Sequence, residues 1–157
     1  MEIEYYMKNI AYYILDKCGQ MSTFRLPKLL YVCQAWYMAW NNGCPLFYED
    51  FEAWINGPVI RELFETHKGL YEIDKHLIKG NINPIDEKIT KQIDKVLFYY
   101  NYLNNLDFIV YFHNESVWKI TRDKFSETFE FGIIKKYEIY NYYKNRHIET
   151  ELNNYMY

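Results

Sequence analysis

Cysteine is scarce in this chain, and its copies are not arranged for metal binding or redox chemistry. Of 157 residues three are cysteine, Cys18, Cys33 and Cys44, and no Cys-x-x-Cys pair occurs. An odd number without that spacing is typical of small apolar side chains in a reduced protein. We therefore expect a cytoplasmic protein.

Targeting and membrane signals are equally weak. The first ten residues, MEIEYYMKNI, are acidic and amphipathic and contain neither the basic nor the apolar region of a signal peptide. No uncharged apolar run reaches the roughly 18 residues that a membrane-spanning helix needs. We expect neither a signal peptide nor insertion into a membrane.

The sequence also lacks the common catalytic signatures. It contains no Gly-x-Ser-x-Gly elbow, no His-Glu-x-x-His helix and no Gly-rich phosphate loop. Glu49, Asp50 and Glu52 are close enough to act as an acid/base pair or to bind a cation, but we interpret them as solvated charges and turn or helix caps. The sequence thus favours a protein that is not an enzyme and has no cofactor.

A metal site is not predicted either. His113 and Glu115 could supply two ligands, but no third and fourth appear at matching spacing. We expect instead that His113 bonds a backbone group at a helix break and helps to seat Trp118.

An excess of positive charge is absent as well. Eighteen basic against 21 acidic residues give a net charge of −3, which argues against a dedicated nucleic-acid binder. A local basic face remains, because Lys88, Lys91 and Lys95 share one side of a predicted helix. Glu87 and Asp94 border it, so a solvated helix face is the favoured interpretation, and a DNA-binding regulator of its own operon is the alternative.

What the sequence has in abundance is apolar surface. Hydrophobic residues make up 50% of the chain, enough for a core in which roughly 70% of the unfolded surface is buried. There is no internal repeat, low-complexity tract or linker. We predict one domain over residues 1–157, in which the polar segment 145–157 frays.

Two helices are predicted first. Helix 1 ends near Gly19 and has an apolar stripe of Ile3, Tyr6, Met7, Ile10, Ala11 and Ile14. Helix 2, capped by Ser22 or Thr23, is apolar on all sides as far as Trp40, which is typical of a helix in the middle of a domain. Pro27 fits only if this helix begins close to Leu26.

The remaining pattern predicts more helices and little strand. Residues 47–55 fit a short strand or a β-turn, Asn56-Gly57-Pro58 is expected to open helix 3, and residues 70–85 fit a hairpin or an ordered loop around Lys79-Gly80-Asn81. Asp86 caps helix 4, residues 106–122 form two short helices, and residues 133–143 form the last. We predict a mainly α fold of about six to seven helices around helix 2, with a short β-hairpin or strand pair.

Large aromatic side chains are expected on the outer sides of two of these helices. Tyr5 and Tyr12 project opposite the apolar stripe of helix 1, and Phe98 and Tyr102 do the same on helix 4. Such residues bury much area at low entropic cost when a partner binds. We treat these four as candidate partner-binding residues, the alternative being that another element covers them.

Four segments of the sequence together resemble the Panacea-domain family, SocA-like antitoxins of bacterial and phage toxin–antitoxin pairs. They are 10-IAYYILDK-17, 28-KLLYVCQAWYMAW-40, 45-PLFYEDFEAWINGPV-59 and 113-HNESVW-118, followed by the Ile133-Ile134 helix. The resemblance marks as family motif positions Lys28, Leu29, Leu30, Tyr31, Trp36, Glu52, Trp54, Gly57, Pro58, His113 and Trp118. The sequence departs from the family pattern at Pro27, Arg61 and His147.

The resemblance implies a function as well as a fold. Proteins of this family neutralise a toxin encoded beside them by direct contact and without catalysis, and a role in phage defence is implied. The expected partner is therefore a cognate toxin from the same operon. An adaptor that delivers the toxin to a protease is a further alternative.

Overall fold

A central helix organises the molecule. The computed structural model describes residues 5–78, 84–125 and 132–156. In it, helix α2 (Arg25–Trp40) is buried at every residue from Leu26 to Trp36. It is in contact with α1 (Met7–Cys18), α4 (Glu87–Tyr100), α5 (Asn105–Asn114) and α7 (Lys136–Tyr143). The predicted mainly α fold around this helix is confirmed.

The other elements are shorter. Over the described residues they are, in chain order, β1 (Met21–Ser22), β2 (Phe51–Trp54), β3 (Gly57–Val59), α3 (Arg61–His67), β4 (Glu72–Ile73), a 3-10 turn (Lys75–Leu77), α6 (Ser116–Lys124), β5 (Ile133–Ile134), α8 (Ile148–Glu151) and α9 (Asn153–Met156). α8 and α9 are single helical turns, so the helices of seven residues or more are α1 to α7.

The strands form two small antiparallel sheets. β1 pairs with β4, with Met21 opposite Ile73. β2 lies between β3 and β5, with Ala53 opposite Pro58 and Phe51 opposite Ile134. β2 and β3 form a hairpin. β2 lies within residues 47–55, where a short strand was one of the two predicted alternatives, whereas β3 was not predicted.

Local sequence signals account for the end of α1 and for the starts of α2 and α4. Gly19 follows α1 with φ of 83°, a conformation that glycine adopts without a Cβ penalty. The Ser22 hydroxyl accepts a hydrogen bond from the Arg25 amide, and the Asp86 carboxylate accepts one from the Lys88 amide. Pro27 is the third residue of α2, within the first turn, where an amide has no partner in the helix.

Three predictions of local structure were wrong. Gly57 and Pro58 lie in β3, and α3 starts only at Arg61. Ile133 and Ile134 form β5 rather than the start of the last helix. The segment after Asn145, expected to fray, forms α8 and α9 and buries Ile148 and Leu152.

Two further predictions concern residues outside the described ranges. The expected hairpin or loop around Lys79-Gly80-Asn81 lies there, and so does Ile3, the first member of the helix 1 stripe. Met7, Ile10, Ala11 and Ile14 of that stripe are buried on α1. Tyr6 was also predicted on the stripe, which was wrong, because it precedes α1 and is 56% exposed.

A buried glutamine fixes the loop before β2. The side chain of Gln34 in α2 donates a hydrogen bond to the Phe47 carbonyl (3.1 Å) and accepts one from the Leu46 amide (2.6 Å). Phe47 also makes an isolated parallel bridge with Tyr5. The loop is thereby held against α2, and the β2–β3 hairpin that follows it is held against the same helix.

Candidate functional site

The structure separates the four aromatic residues that the sequence suggested for partner binding. Phe98 and Tyr102 are 76% and 60% exposed, at the end of α4 and just beyond it. Tyr12 is half-buried against the core. Tyr5 is only 6% exposed, and its hydroxyl accepts a hydrogen bond from the Asp86 amide. The expected outward position of Tyr5 was therefore wrong, because the residue precedes α1 and its backbone pairs with Phe47.

The family motif residues His113 and Trp118 contact the turn of the β2–β3 hairpin. The ring of His113 stacks on that of Trp118, with centroids 5.0 Å apart and planes 9° apart. His113 Nε2 donates to the Ile55 carbonyl (3.1 Å), and Trp118 Nε1 donates to the Trp54 carbonyl (2.8 Å). The predicted roles of His113, a backbone bond and seating of Trp118, are confirmed, and the backbone it binds is that of the hairpin.

The outer side of the hairpin carries an ion pair. The guanidinium of Arg61 makes two hydrogen bonds to the Glu52 carboxylate, 2.9 and 3.1 Å long. It also lies over the Trp54 ring, 5.1 Å from its centroid, in a cation–π contact. Glu52 is therefore a partner of Arg61.

The neighbouring acids are occupied in the same way. Glu49 Oε1 accepts a hydrogen bond from the Met7 amide at the start of α1 (2.9 Å). Asp50 pairs with Lys136. The three acids that could have formed a catalytic or cation site thus act as a cap and as ion-pair partners.

The motif residues of α2 lie in the interior. Leu29, Leu30, Tyr31 and Trp36 have no exposed surface, and Lys28 is only 2% exposed. The backbone of Gly57 approaches Lys28 so closely that a Cβ atom there would be 3.1 Å from Lys28 Cε. Pro58, opposite Ala53, is buried beside it. These motif residues form part of the core and of the surface on which the β2–β3 hairpin packs.

A buried carboxylate connects the motif residues of α2 with the α5–α6 junction. Glu115 lies between the two helices, has no exposed surface and caps α6 by accepting the Trp118 amide (2.9 Å). Its Oε2 accepts the hydroxyls of Tyr31 (2.6 Å) and Tyr143 (3.3 Å). Burial raises the pKa of Glu115, and these hydrogen bonds act against that rise.

The network extends through buried hydroxyls. Trp36 Nε1 donates to Tyr100 (3.1 Å), which donates to Tyr111 (3.2 Å), and Tyr111 is hydrogen-bonded to Tyr143 (2.8 Å). Chains of hydrogen bonds in a low-dielectric interior strengthen one another. α2, α4, α5 and α7 are thus joined by polar contacts inside an apolar core.

A second buried acid holds the last helical turns. Glu151 is 1% exposed and accepts a hydrogen bond from Arg146 Nε (2.6 Å). Arg146 also donates to the Tyr155 hydroxyl (3.2 Å), and the Tyr111 hydroxyl lies 3.4 Å from Glu151. Neither the sequence spacing nor the residue types had indicated Glu115 or Glu151 as buried, because each depends on partners in other elements.

The predicted lysine face of α4 is largely neutralised. Lys91 pairs with Glu87 (3.2 Å), and Lys95 pairs with Glu149 of α8 (3.1 Å). Lys95 also lies over the Trp40 ring. Charges already paired within the protein attract a phosphate backbone less.

In residues 5–78, 84–125 and 132–156, no group of three or more His, Cys, Asp or Glu side chains is placed to hold a metal ion. None of the helices in those ranges is both long and apolar enough to span a membrane.

These features define a mainly helical domain that presents a rigidly seated hairpin and exposed aromatic side chains. The chain belongs to the family described as antitoxin SocA-like, Panacea domain, whose model matches residues 26–119. That range includes all eleven motif positions named above, from α2 to α6, and it confirms the resemblance. No curated protein and no solved structure matched the chain.

Proposed function

We propose that this chain is an antitoxin that neutralises a toxin encoded beside it by binding the toxin directly, without catalysis. Membership of the SocA-like Panacea family is the observation that carries the proposal, because that family is one of antitoxin-like domains. Binding would take place in the cytoplasm, and the partner would be a protein.

The side chains best suited to such a contact are at the end of α4. Phe98 and Tyr102 are large, aromatic and exposed, and Leu106 in the first turn of α5 is 67% exposed. Aromatic residues of this kind supply most of the binding energy in many interfaces. We name Phe98, Tyr102 and Leu106 the α4–α5 patch and propose it as part of the toxin contact.

Direct binding of a toxin is favoured over a role as a DNA-binding regulator of its own operon. The paired state of Lys91 and Lys95 and the net charge of −3 leave little positive potential to hold a phosphate backbone. Delivery of the toxin to a protease would start from the same complex, so it differs from masking in the fate of the toxin rather than in the contact.

The proposal is tested by expressing the tagged chain together with the product of its neighbouring gene. We expect a stable complex with that product and survival of cells in which the neighbour alone is lethal. Replacing Phe98 and Tyr102 together by alanine should weaken the complex by roughly tenfold or more. Tyr71→Ala is the matched control, since Tyr71 is 91% exposed and lies outside the α4–α5 patch.

The other outcomes of this experiment distinguish the antitoxin function from its alternatives. Recovery of the chain alone, with unchanged lethality of the neighbour, would rule out the antitoxin function. Recovery with promoter DNA in a salt-sensitive complex would identify a regulator instead. A complex that forms while the toxin disappears faster in cells would indicate delivery to a protease, and a complex unaffected by the double substitution would move the contact away from the α4–α5 patch.

A further inference from the structure

An apolar cleft opens between the start of α2 and the β2–β3 hairpin. Its volume is about 230 Å³, and its walls are formed by Phe24, Lys28, Trp54, Ile55, Asn56, Gly57 and Val59. Ile55 at the turn of the hairpin is 63% exposed, so the rim is accessible to a partner. Lys28, Trp54 and Gly57 among these residues are family motif positions, and the α4–α5 patch contributes none of the lining.

A basic side chain without a counter-ion forms one wall of this cleft. Lys28 is 2% exposed, and its ammonium lies over the ring of Phe24, 4.1 Å from the centroid. Among the described residues, no oxygen accepts a hydrogen bond from Lys28, and burial alone lowers the pKa of its amine to about 7. Among the described residues Asn9 Nδ2, and not Lys28 Nζ, is the fully buried polar side-chain atom without a hydrogen-bond partner, so the ammonium of Lys28 reaches the surface of the cleft. An ammonium that is largely removed from water and not paired with an anion is costly.

A second basic residue, His67, interacts with Lys28. His67 at the end of α3 is buried; burial first, and then the positive charge of Lys28, lower the pKa of its imidazole. Because its pKa is lowered, the imidazole of His67 is mostly neutral at pH 7, and it supplies no counter-ion to Lys28. The ammonium of Lys28 favours an anion in the cleft, and a single amine among mostly apolar walls suits a carboxylate better than a phosphate, which needs several donors.

We propose that this cleft receives a carboxylate of the bound toxin, carried on an apolar residue or flanked by one, and that Lys28 is its anchor. This inference rests on the proposed antitoxin function for the identity of the partner. The carboxylate would replace the missing counter-ion of Lys28, while Phe24, Trp54 and Val59 would cover the apolar part of the same segment. A charge pair closed off from water in this way is worth more than one at an exposed rim.

Binding at this site takes up a proton. An amine with a pKa of about 7 is partly neutral in the free protein at neutral pH, and the carboxylate raises that pKa in the complex. Below about pH 7 the amine of Lys28 is protonated in both the free and the bound protein, so its titration does not change the affinity. Above about pH 7 the affinity falls by about tenfold per pH unit, until the pH reaches the raised pKa of Lys28 in the complex.

The first experiment tests the cleft without the toxin. The protein is labelled with ¹³C at lysine Cε, and the NMR signal of Lys28 is assigned from its loss in Lys28→Met. 3-Phenylpropionate is then added as the carboxylate probe, with 3-phenylpropanamide as the neutral control. We expect weak binding, with dissociation constants of about 1–10 mM, that shifts the Lys28 signal and raises the pH midpoint of its titration. Equal shifts with the amide, or a Lys28 that titrates near its ordinary value in the free protein, would overturn the proposal.

The second experiment uses the complex with the neighbouring gene product. Lys28→Met should weaken it roughly 30-fold or more at pH 6.5 and remove the fall in affinity above pH 7. Lys144→Met is the control, because Lys144 is an exposed lysine at the end of α7. Heat-induced unfolding of both variants establishes that they are folded.

The two proposals can fail separately. If the wild-type chain does not bind its neighbour, the antitoxin function is wrong, and the phenylpropionate titration still decides whether the cleft takes a carboxylate. If the wild-type chain binds and Lys28→Met binds as tightly, the function stands and the cleft is not the toxin contact.

Discussion

At the scale of single residues, the most informative groups are ionisable side chains in the interior. Lys28 and Glu115 are both almost fully buried, yet their surroundings differ. Glu115 accepts hydrogen bonds from two tyrosines and from a backbone amide, whereas the ammonium of Lys28 has only the face of Phe24. A buried charge whose hydrogen bonds are satisfied, such as that of Glu115, has a structural role. A buried ammonium without an anion, such as that of Lys28, is better explained by a ligand that binds it.

Replacing Lys28 by methionine should stabilise the free protein. The amine pKa is lowered from 10.5 to about 7, so the folded state holds the proton less tightly than the unfolded state does. The resulting cost to the wild type is complete below about pH 7 and disappears as the pH rises to about 10.5. Urea unfolding should give Lys28→Met an advantage of roughly 2–4 kcal/mol at pH 6, narrowing toward pH 9.

The same variant is expected to bind the toxin more weakly, so stability and binding should change in opposite directions. A loss of stability in Lys28→Met that is independent of pH would contradict the unpaired state of this amine. Lys144→Met, in which an exposed charge is removed, should change stability by no more than about 0.5 kcal/mol.

Replacing Glu115 by glutamine should alter how stability depends on pH. Burial raises the pKa of Glu115 above 4.5, so the folded state favours the protonated carboxyl, and the wild type loses stability as the pH rises from about 4.5 through that raised pKa. Glutamine keeps an acceptor oxygen and does not ionise. The unfolding free energy of the wild type, measured relative to that of Glu115→Gln, should therefore fall as the pH rises.

Urea unfolding of both proteins between about pH 4.5 and 7.5 measures this difference. Glu87→Gln is the control, since Glu87 is exposed and pairs only with Lys91 across one turn of α4. Parallel curves for wild type and Glu115→Gln would mean that the hydrogen bonds of Tyr31 and Tyr143 offset the burial completely.

At the scale of elements, the β2–β3 hairpin is positioned by contacts on both sides. Its turn is bound from outside by His113 and Trp118, and β3 packs on α2 and α5 through Gly57. Gly57 has φ of 125°, a backbone conformation that residues with a Cβ rarely adopt. The motif Trp-x-x-Gly-Pro thus specifies a close approach of the hairpin to Lys28.

Alanine at Gly57 should therefore cost more than alanine at another left-handed glycine. At Gly57 the new Cβ would meet Lys28 Cε at 3.1 Å and Phe112 Cδ2 at 3.4 Å, whereas at Gly69, with φ of 89°, it would meet nothing within 4 Å. We expect Gly57→Ala to lose about 2–4 kcal/mol and Gly69→Ala about 1 kcal/mol in thermal or urea unfolding. Equal losses would show that the crowding is relieved by movement of Lys28.

At the scale of the whole molecule, the C-terminal turns complete the core. α8 and α9 pack on each other, α8 packs on α4, and α9 packs on α5. Arg146 donates hydrogen bonds to both Glu151 and Tyr155. Removal of an apolar side chain from this region should thus affect global stability, which a frayed tail would not.

Leu152→Ala should destabilise the protein by about 2–4 kcal/mol, because Leu152 is 6% exposed and its truncation leaves a cavity. Asn154→Ala, at an exposed position two residues further on, should change stability by less than about 0.5 kcal/mol. Urea unfolding measures both, and amide exchange of α8 follows the local effect. Indistinguishable variants would mean that these turns do not stabilise the rest of the fold.

The sequence by itself determined the elements whose signals are local. The all-round apolar α2, the caps at Ser22 and Asp86, the stop at Gly19 and the break before α6 follow from residue types a few positions apart. The family was also recognisable from short motifs. These features were predictable because helix periodicity and capping depend on neighbours along the chain.

Only the tertiary structure decided the features that depend on distant partners. Gly57-Pro58 reads as a helix start, but pairing with β2 makes it a strand, and Ile133-Ile134 becomes a strand because Phe51 and Glu52 lie opposite. Tyr5 is buried by Phe47 and Asp86, and Glu115 by tyrosines of α2 and α7. Burial and strand pairing join residues far apart in sequence, and no local pattern records which residues those are.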